Sequence, residues 1–200
     1  MKTLLQNIEL AAEIELEKKT ASRQGIEIKF GFTSDPMEYG KPGKQPGDLF
    51  ADLNQKSPLL LVSLGDKDQF SSEKMRIAGS AAVKWMIQMH AKEAWIDLDA
   101  FIGNINIADL CEGFLLGAYK FTKYKKQNQK ENKPLVHLLS SGNLDDAADT
   151  LKRTQIICKA VYLARDWAHE PANIINPQSL SEQMQKKTKN SSIRTTVLDS

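Results

Sequence analysis

The sequence predicts an α/β fold in three layers, a mostly parallel or mixed sheet flanked by helices. Three observations predict it. Apolar runs of strand length alternate with longer segments whose apolar residues recur every three to four positions. Clusters of Gly, Pro, Asn and Asp separate the two kinds of segment and break both periods. The chain has 200 residues, 41% of them hydrophobic and 26% charged, enough to close a core without covalent staples.

Residues 1–24 allow two readings. Leu4, Leu5, Ile8, Ala11, Ala12 and Ile14 fit a helix, whereas Ile14-Glu15-Leu16 alternates as a strand does. Residues 26–32 alternate strictly, with Ile26, Ile28, Phe30 and Phe32 on one face of a half-buried strand. Three prolines and three glycines make 33–47 a loop or a pair of turns. Leu59–Leu64 is a continuous apolar run ended by Gly65-Asp66, which suits a central strand covered on both faces. Ser71 or Ser72 caps a helix whose buried stripe is Met75, Ala78, Gly79, Ala82, Val83, Met86 and Met89.

Ala94–Phe101 reads as the next strand. Asn104 or Asn106 opens a helix that buries Ile107, Leu110, Cys111, Phe114, Ala118 and Phe121. Pro134–Ser140 is another buried strand, ended by Ser141-Gly142-Asn143. Asp145 and Asp146 complement the N-terminal dipole of a long helix. Its stripe reads Leu151, Thr154, Ile157, Cys158, Val161, Ala164 and Ala168, and Glu170-Pro171 stops it, because a residue before proline is driven out of the helical region. Pro177 stands at a first helical position, followed by a short helix over 178–187 and a strand over Ile193–Leu198. Alternating strands and helices imply right-handed crossovers and a largely parallel sheet.

Composition excludes several function classes. With 27 basic and 25 acidic residues the net charge is +2, which argues against a dedicated nucleic-acid binder. Lysines crowd 120–133 and 186–189; the reading as solvated helix ends outweighs the reading as an anion patch. Cys111 and Cys158 are isolated and suit a reducing cytoplasm. Glu9, Glu13, Glu15 and Glu17 interrupt the N-terminal segment, which excludes a signal peptide or membrane span there.

No catalytic, cofactor-binding or metal-binding residue stands out. His169-Glu170 opens like a zinc-protease pair, but position 173 is Asn and Pro171 breaks the helix that pair needs. His90 and His137 read as structural histidines. Asp97 and Asp99 would share one strand face, a weak candidate for acid–base or cation chemistry. Ser140–Asn143 follows a strand where a diphosphate loop would sit, but one glycine is thin support. The informative segment is 164–179. Arg165 lies on the buried side near a helix end, where it can bond backbone carbonyls or a carboxylate. Asn173 can bridge the turn between the two helices. Arg165, Pro171, Asn173 and Pro177 thus have the build of a rigid junction between two units, 1–169 and 170–200, while an ordinary helix–loop–helix fits the same spacing.

Arg165-Asp-Trp-Ala-His-Glu-Pro-Ala-Asn173 followed by Asn176-Pro177 resembles the junction of leucyl (cytosol-type) aminopeptidases, Arg-x-Leu-x-Asn-x-Pro-Ala-Asn and then Thr-Pro. Trp167, His169 and Asn176 replace the usual Leu, Asn and Thr. Gly47-Asp48-Leu49, the run Leu61–Lys67, Glu73–Val83, and Glu112-Gly113 with Leu116, Tyr119, Phe121, Tyr124 and Lys125 resemble further family segments. The resemblance covers roughly residues 45–200 and implies a macro-domain-like N-terminal domain joined to a catalytic one. The catalytic domain of the family holds two divalent metals, zinc or manganese, and assembles as a hexamer. Its metal ligands lie in Gly-Lys-Gly-x-x-x-Asp-x-Gly-Gly and Asn-Thr-Asp-Ala-Glu-Gly-Arg segments, and neither occurs in this sequence. The expectation is therefore a non-catalytic N-terminal part that stops just inside the catalytic domain. The partner it implies is the chain's own catalytic domain within a homo-oligomer, with no nucleic acid and no membrane.

Overall fold

The apolar run Leu59–Ser63 forms strand β4, and all five of its residues are buried. Around it the computed structural model, which describes residues 5, 8–19, 25–35, 42–54, 58–100, 106–125, 133–189 and 192–198, assembles a six-stranded sheet. The other strands are β1 (Glu13–Lys18), β2 (Ile26–Gly31), β3 (Leu49–Asp52), β5 (Glu93–Asp97) and β6 (Leu135–Ser140). Their order is β1-β6-β5-β2-β4-β3. Only β3 runs antiparallel to its neighbour, so the sheet is mixed and mostly parallel. Helices α1 (Ser72–Gln88), α2 (Ile107–Gly117) and α3 (Asp145–His169) follow β4, β5 and β6, and α4 (Pro177–Thr188) closes the described fold.

One core holds these elements. Ile14, Ile28, Leu60, Val62, Ala94, Ile96, Val136 and Leu138 project from one face of the sheet into it. Met75, Ala78, Ala82, Val83 and Met86 of α1, Leu110, Cys111 and Phe114 of α2, and Leu151 and Cys158 of α3 complete it. Helices α1 and α2 approach closely because glycines face the contact. A Cβ on Gly113 would lie 2.6 Å from the Arg76 carbonyl oxygen, and one on Gly117 would lie 2.6 Å from Ser80 Oγ. Arg76 bolts the same contact. Its Nε donates to Glu112 Oε2 and its Nη2 to Asp109 Oδ1, both at 2.6 Å. Those carboxylates, with the Glu112 bond foremost, hold the guanidinium pKa above its ordinary value.

The ends of the helices follow from local chemistry. Ser71, not Ser72, caps α1, accepting from Lys74 N. At its other end His90 takes φ +54°, with His90 N–H on Ile87 O and Ala91 N–H on Met86 O, a Schellman closure. Asn106 caps α2 by accepting from Ala108 N at 2.9 Å; Asn104 lies outside the described residues. Pro177 is the first residue of α4, and Asn176 and Ser179 form a reciprocal capping box.

Several expectations need correction. The ambiguous N-terminal segment contains a strand, β1, because Glu13–Lys18 finds β6 to pair with along its whole length. Strand β3 carries no periodic signal in its four residues and exists because Leu49–Asp52 pairs with β4. Strand β5 ends at Asp97, whose Oδ1 accepts from Asp99 N and bends Leu98–Ala100 into a 3₁₀ turn. Asp97 and Asp99 therefore do not share a strand face. Met89 is 48% exposed, since it stands at the cap of α1 rather than on its stripe. In α3 the buried line passes through Leu151, Thr154, Cys158, Tyr162 and Leu163, leaving Ile157, Ala164 and Ala168 exposed. Ile193–Leu198 is not a strand, because no described strand pairs with it, and Leu198 is 87% exposed.

Candidate functional site

The chain after α2 folds back against the end of α3, and the contacts there are dense. Tyr162 OH donates to Leu115 O at 2.5 Å, and Arg165 Nη1 donates to Leu116 O at 3.0 Å. These bonds satisfy carbonyls in the last turn of α2 that have no helical partner. The Arg165 guanidinium also lies 5.2 Å from the Tyr119 ring centroid, a cation–π contact. Tyr119 OH donates to Asp166 Oδ1 at 2.9 Å; burial and then that carboxylate push the phenol up to about 12.

Glu170, the residue that ends α3, receives Lys123 Nζ at 2.5 Å and the Tyr124 hydroxyl. Lys123 and then Tyr124 hold its carboxyl below the ordinary range. His169 Nδ1 lies 2.7 Å from Arg165 O, and its ring stacks on Phe121 at 5.3 Å. On the far side of the turn, Trp167 Nε1 donates to Gln183 Oε1 at 3.1 Å and holds α4 in place. A groove of about 1310 Å³ runs between these pieces, with Tyr119, Phe121, Trp167 and Ile175 among its walls.

Of the expected junction residues, the structure brings Arg165 onto the Leu116 carbonyl of α2 and places Pro171 and Pro177 at the two helix boundaries. Asn173 is exposed in the turn between them, and the capping falls to Asn176. Among the crowded lysines, Lys123 serves Glu170 and Lys133 pairs with Glu9 at 2.9 Å. Lys186 and Lys187 stand in the last turn of α4, where the dipole favours them; Lys126 and Lys130 lie outside the described residues.

The carboxyl ends of β5 and β6 offer the second candidate. Asp99 accepts from Ser140 Oγ, Ser141 N and Ser141 Oγ at 2.7–2.9 Å. Those donors lower its pKa to about 2. Lys19 Nζ sits 2.5 Å from Asp97, and Lys18 Nζ donates to Gly142 O. The loop that would cradle a diphosphate has therefore turned Ser141 N and both serine hydroxyls onto Asp99 and Gly142 N onto Ser140 Oγ, and a module that binds the diphosphate of a nucleotide or ADP-ribose there is not favoured.

Comparison with known proteins decides between these readings. Residues 49–128 match the N-terminal domain of the cytosol aminopeptidase family. A probable cytosol aminopeptidase of Geobacter sulfurreducens is 31% identical over 146 residues, covering 70% of this chain and 29% of that protein. One of Phytoplasma mali is 27% identical over 179 residues, 86% of this chain and 35% of that protein. This is an N-terminal domain of the cytosol aminopeptidase family. The chain spans about a third or less of the length of these relatives. A tomato leucine aminopeptidase shares the fold at TM-score 0.72 and 17% identity, covering 89% of this chain and 42% of that one. A bottromycin maturation enzyme, BotP, in complex with Mn, does so at TM-score 0.64 and 18% identity, over 82% of this chain and 36% of its own.

The family-like segments of this N-terminal domain now have physical roles. Gly65 takes φ +76°, so the chain can turn from β4 into the turn that Asp66 caps. Glu112 and Gly113 fasten α1 to α2, and Tyr119, Phe121 and Tyr124 are the ring contacts to α3. A pair of divalent metals, as the family implies, does not fit these residues. Among the described residues a single group of three His, Cys, Asp or Glu donors converges, Glu15, Glu17 and His137, and it lies on the strands away from the junction. Tyr119–Asp166 and Glu170 with its partners were not legible in advance, because each bond joins residues 46 or 47 apart.

Proposed function

We propose that this chain is the regulatory and assembly domain of a metal-dependent aminopeptidase and supplies none of the groups that carry out hydrolysis. The single observation behind this is the family match to an N-terminal domain, joined to the small share of each relative's length that the chain spans. In this reading residues 1–169 form the domain, and 170–200 begin the unit that carries the metals. Arg165, Pro171, Asn173 and Pro177 are the junction. The α2 tail clamps the end of α3, and this clamp supports a fixed direction of entry into the second unit. The bound metals, zinc or manganese in this reading, would supply an activated water and a Lewis acid from that unit.

The assembly is a homo-oligomer of the family's hexameric type, working in the cytoplasm on N-terminal residues of peptides. Among the described residues no helix is long and apolar enough to cross a membrane. The test is hydrolysis of a leucine anilide. The 200-residue chain with manganese or zinc supplied should give no chelator-sensitive release, and a longer protein carrying this domain and the metal-binding segments should give it. Chelator-sensitive cleavage by the 200-residue chain alone would overturn the proposal.

A further inference from the structure

On the sheet face opposite the core, backbone register brings three ligand-type side chains together. Glu15 on β1 stands directly opposite His137 on β6, and Glu17 follows two residues on, on the same face. His137 Nδ1 lies 2.6 Å from Glu17 Oε1 and 3.9 Å from Glu15 Oε2. One oxygen from each carboxylate and the imidazole nitrogen all fall within 4.8 Å of one another. The imidazole is packed, at 14% exposure, while the Glu15 side chain is 56% exposed, so the cluster opens outward to solvent.

We propose that Glu15, Glu17 and His137 bind one divalent cation of the zinc class. The imidazole nitrogen is within hydrogen-bond reach of Glu17 but not of Glu15, whose carboxylate stands 3.9 Å away with its oxygen still inside the same small cluster. A divalent ion satisfies all three donors at once and neutralises both charges. One nitrogen and two oxygens suit zinc, cobalt or nickel. Calcium prefers six to eight oxygens, and magnesium holds an octahedral oxygen shell. The donors sit on paired strands rather than on a loop, so little ordering is needed to bind. The ion would bridge β1, an edge strand, to β6, and binding would stabilise the sheet by mass action. This site is separate from the metals of the proposed catalytic unit and stands whether or not that reading holds.

The test is calorimetric titration of zinc chloride into the chelator-treated 200-residue chain near neutral pH. One equivalent should bind, with a rise in Tm. His137→Ala and Glu17→Gln should each weaken binding by about tenfold or more, and Glu17→Gln should lose the Tm rise while keeping the circular dichroism of the parent. His90→Ala and His169→Ala should bind as the parent does. No saturable equivalent, or equal binding by His137→Ala and Glu17→Gln, would leave an ordinary imidazole–carboxylate pair and overturn the site.

Discussion

Asp99 shows how one carboxylate can set a loop. Its pKa lies near 2 in the folded chain against an ordinary 3.8, because three donors from Ser140 and Ser141 favour the charged form. A depressed folded pKa contributes stability that is present above the unfolded value and lost as pH falls through the folded one. Urea midpoints should therefore fall on acidification from about pH 4 to about pH 2. Asp99→Asn should lower the midpoint at about pH 5 and flatten that acid limb; an unchanged limb would mean the bonds do not persist in solution. The two thiols show the opposite case. Burial pushes Cys111 and Cys158 up to about 12. At about pH 8 the thiolate fraction is then on the order of one in ten thousand. Both thiols should resist a disulfide reagent in the native state and react fully in denaturant.

At the scale of elements, close approach and charge pairing join α1 to α2. Gly113→Ala would press a Cβ to 2.6 Å from the Arg76 carbonyl, which is backbone and cannot rotate away. Chemical denaturation should show a loss of about 1–3 kcal/mol, since the strain exceeds the gain in helix propensity. Gly142→Ala, whose nearest neighbour is 3.5 Å away, should stay within about 0.5 kcal/mol. Arg76→Leu would strand Asp109, whose side chain is 7% exposed. The expected loss is about 2 kcal/mol by the same measurement, less than for an enclosed pair because about a third of the Arg76 side chain stays in water.

The phase of α1 and α2 was legible in their stripes, for Met75 to Met86 and Leu110 to Phe114 are buried as their spacing predicts. Helix α3 was legible in extent but not in the phase of its second half. Apolar residues occupy most of its circumference from Ile156 to Ala164, so several faces compete. Tyr162 won because its hydroxyl finds Leu115 O in α2 and its ring finds Tyr119 in the chain just beyond that helix.

Across the whole molecule, α4 is the element least committed to the rest. It buries no residue, and Trp167 holds it through Gln183. Trp167→Ala should speed amide exchange over 177–188 while α1 and α2 keep their protection; uniform loosening of the chain would instead make Trp167 a core residue. The alternation of β4, α1, β5, α2, β6 and α3, the place of Pro177 at the start of α4, and the stop at Glu170-Pro171 were determined by the sequence itself, which also offered Ser71 and Asn106 each as one of two caps, because propensity, capping and periodicity act over a few residues. Only the tertiary structure decided that β1 pairs with β6, that Leu49–Asp52 is a strand, that Glu170 meets Lys123, and that Glu15 and Glu17 meet His137. Such contacts join residues from about ten to more than a hundred positions apart, and the energy that selects them exists only once the sheet has closed and brought the partners within bonding distance.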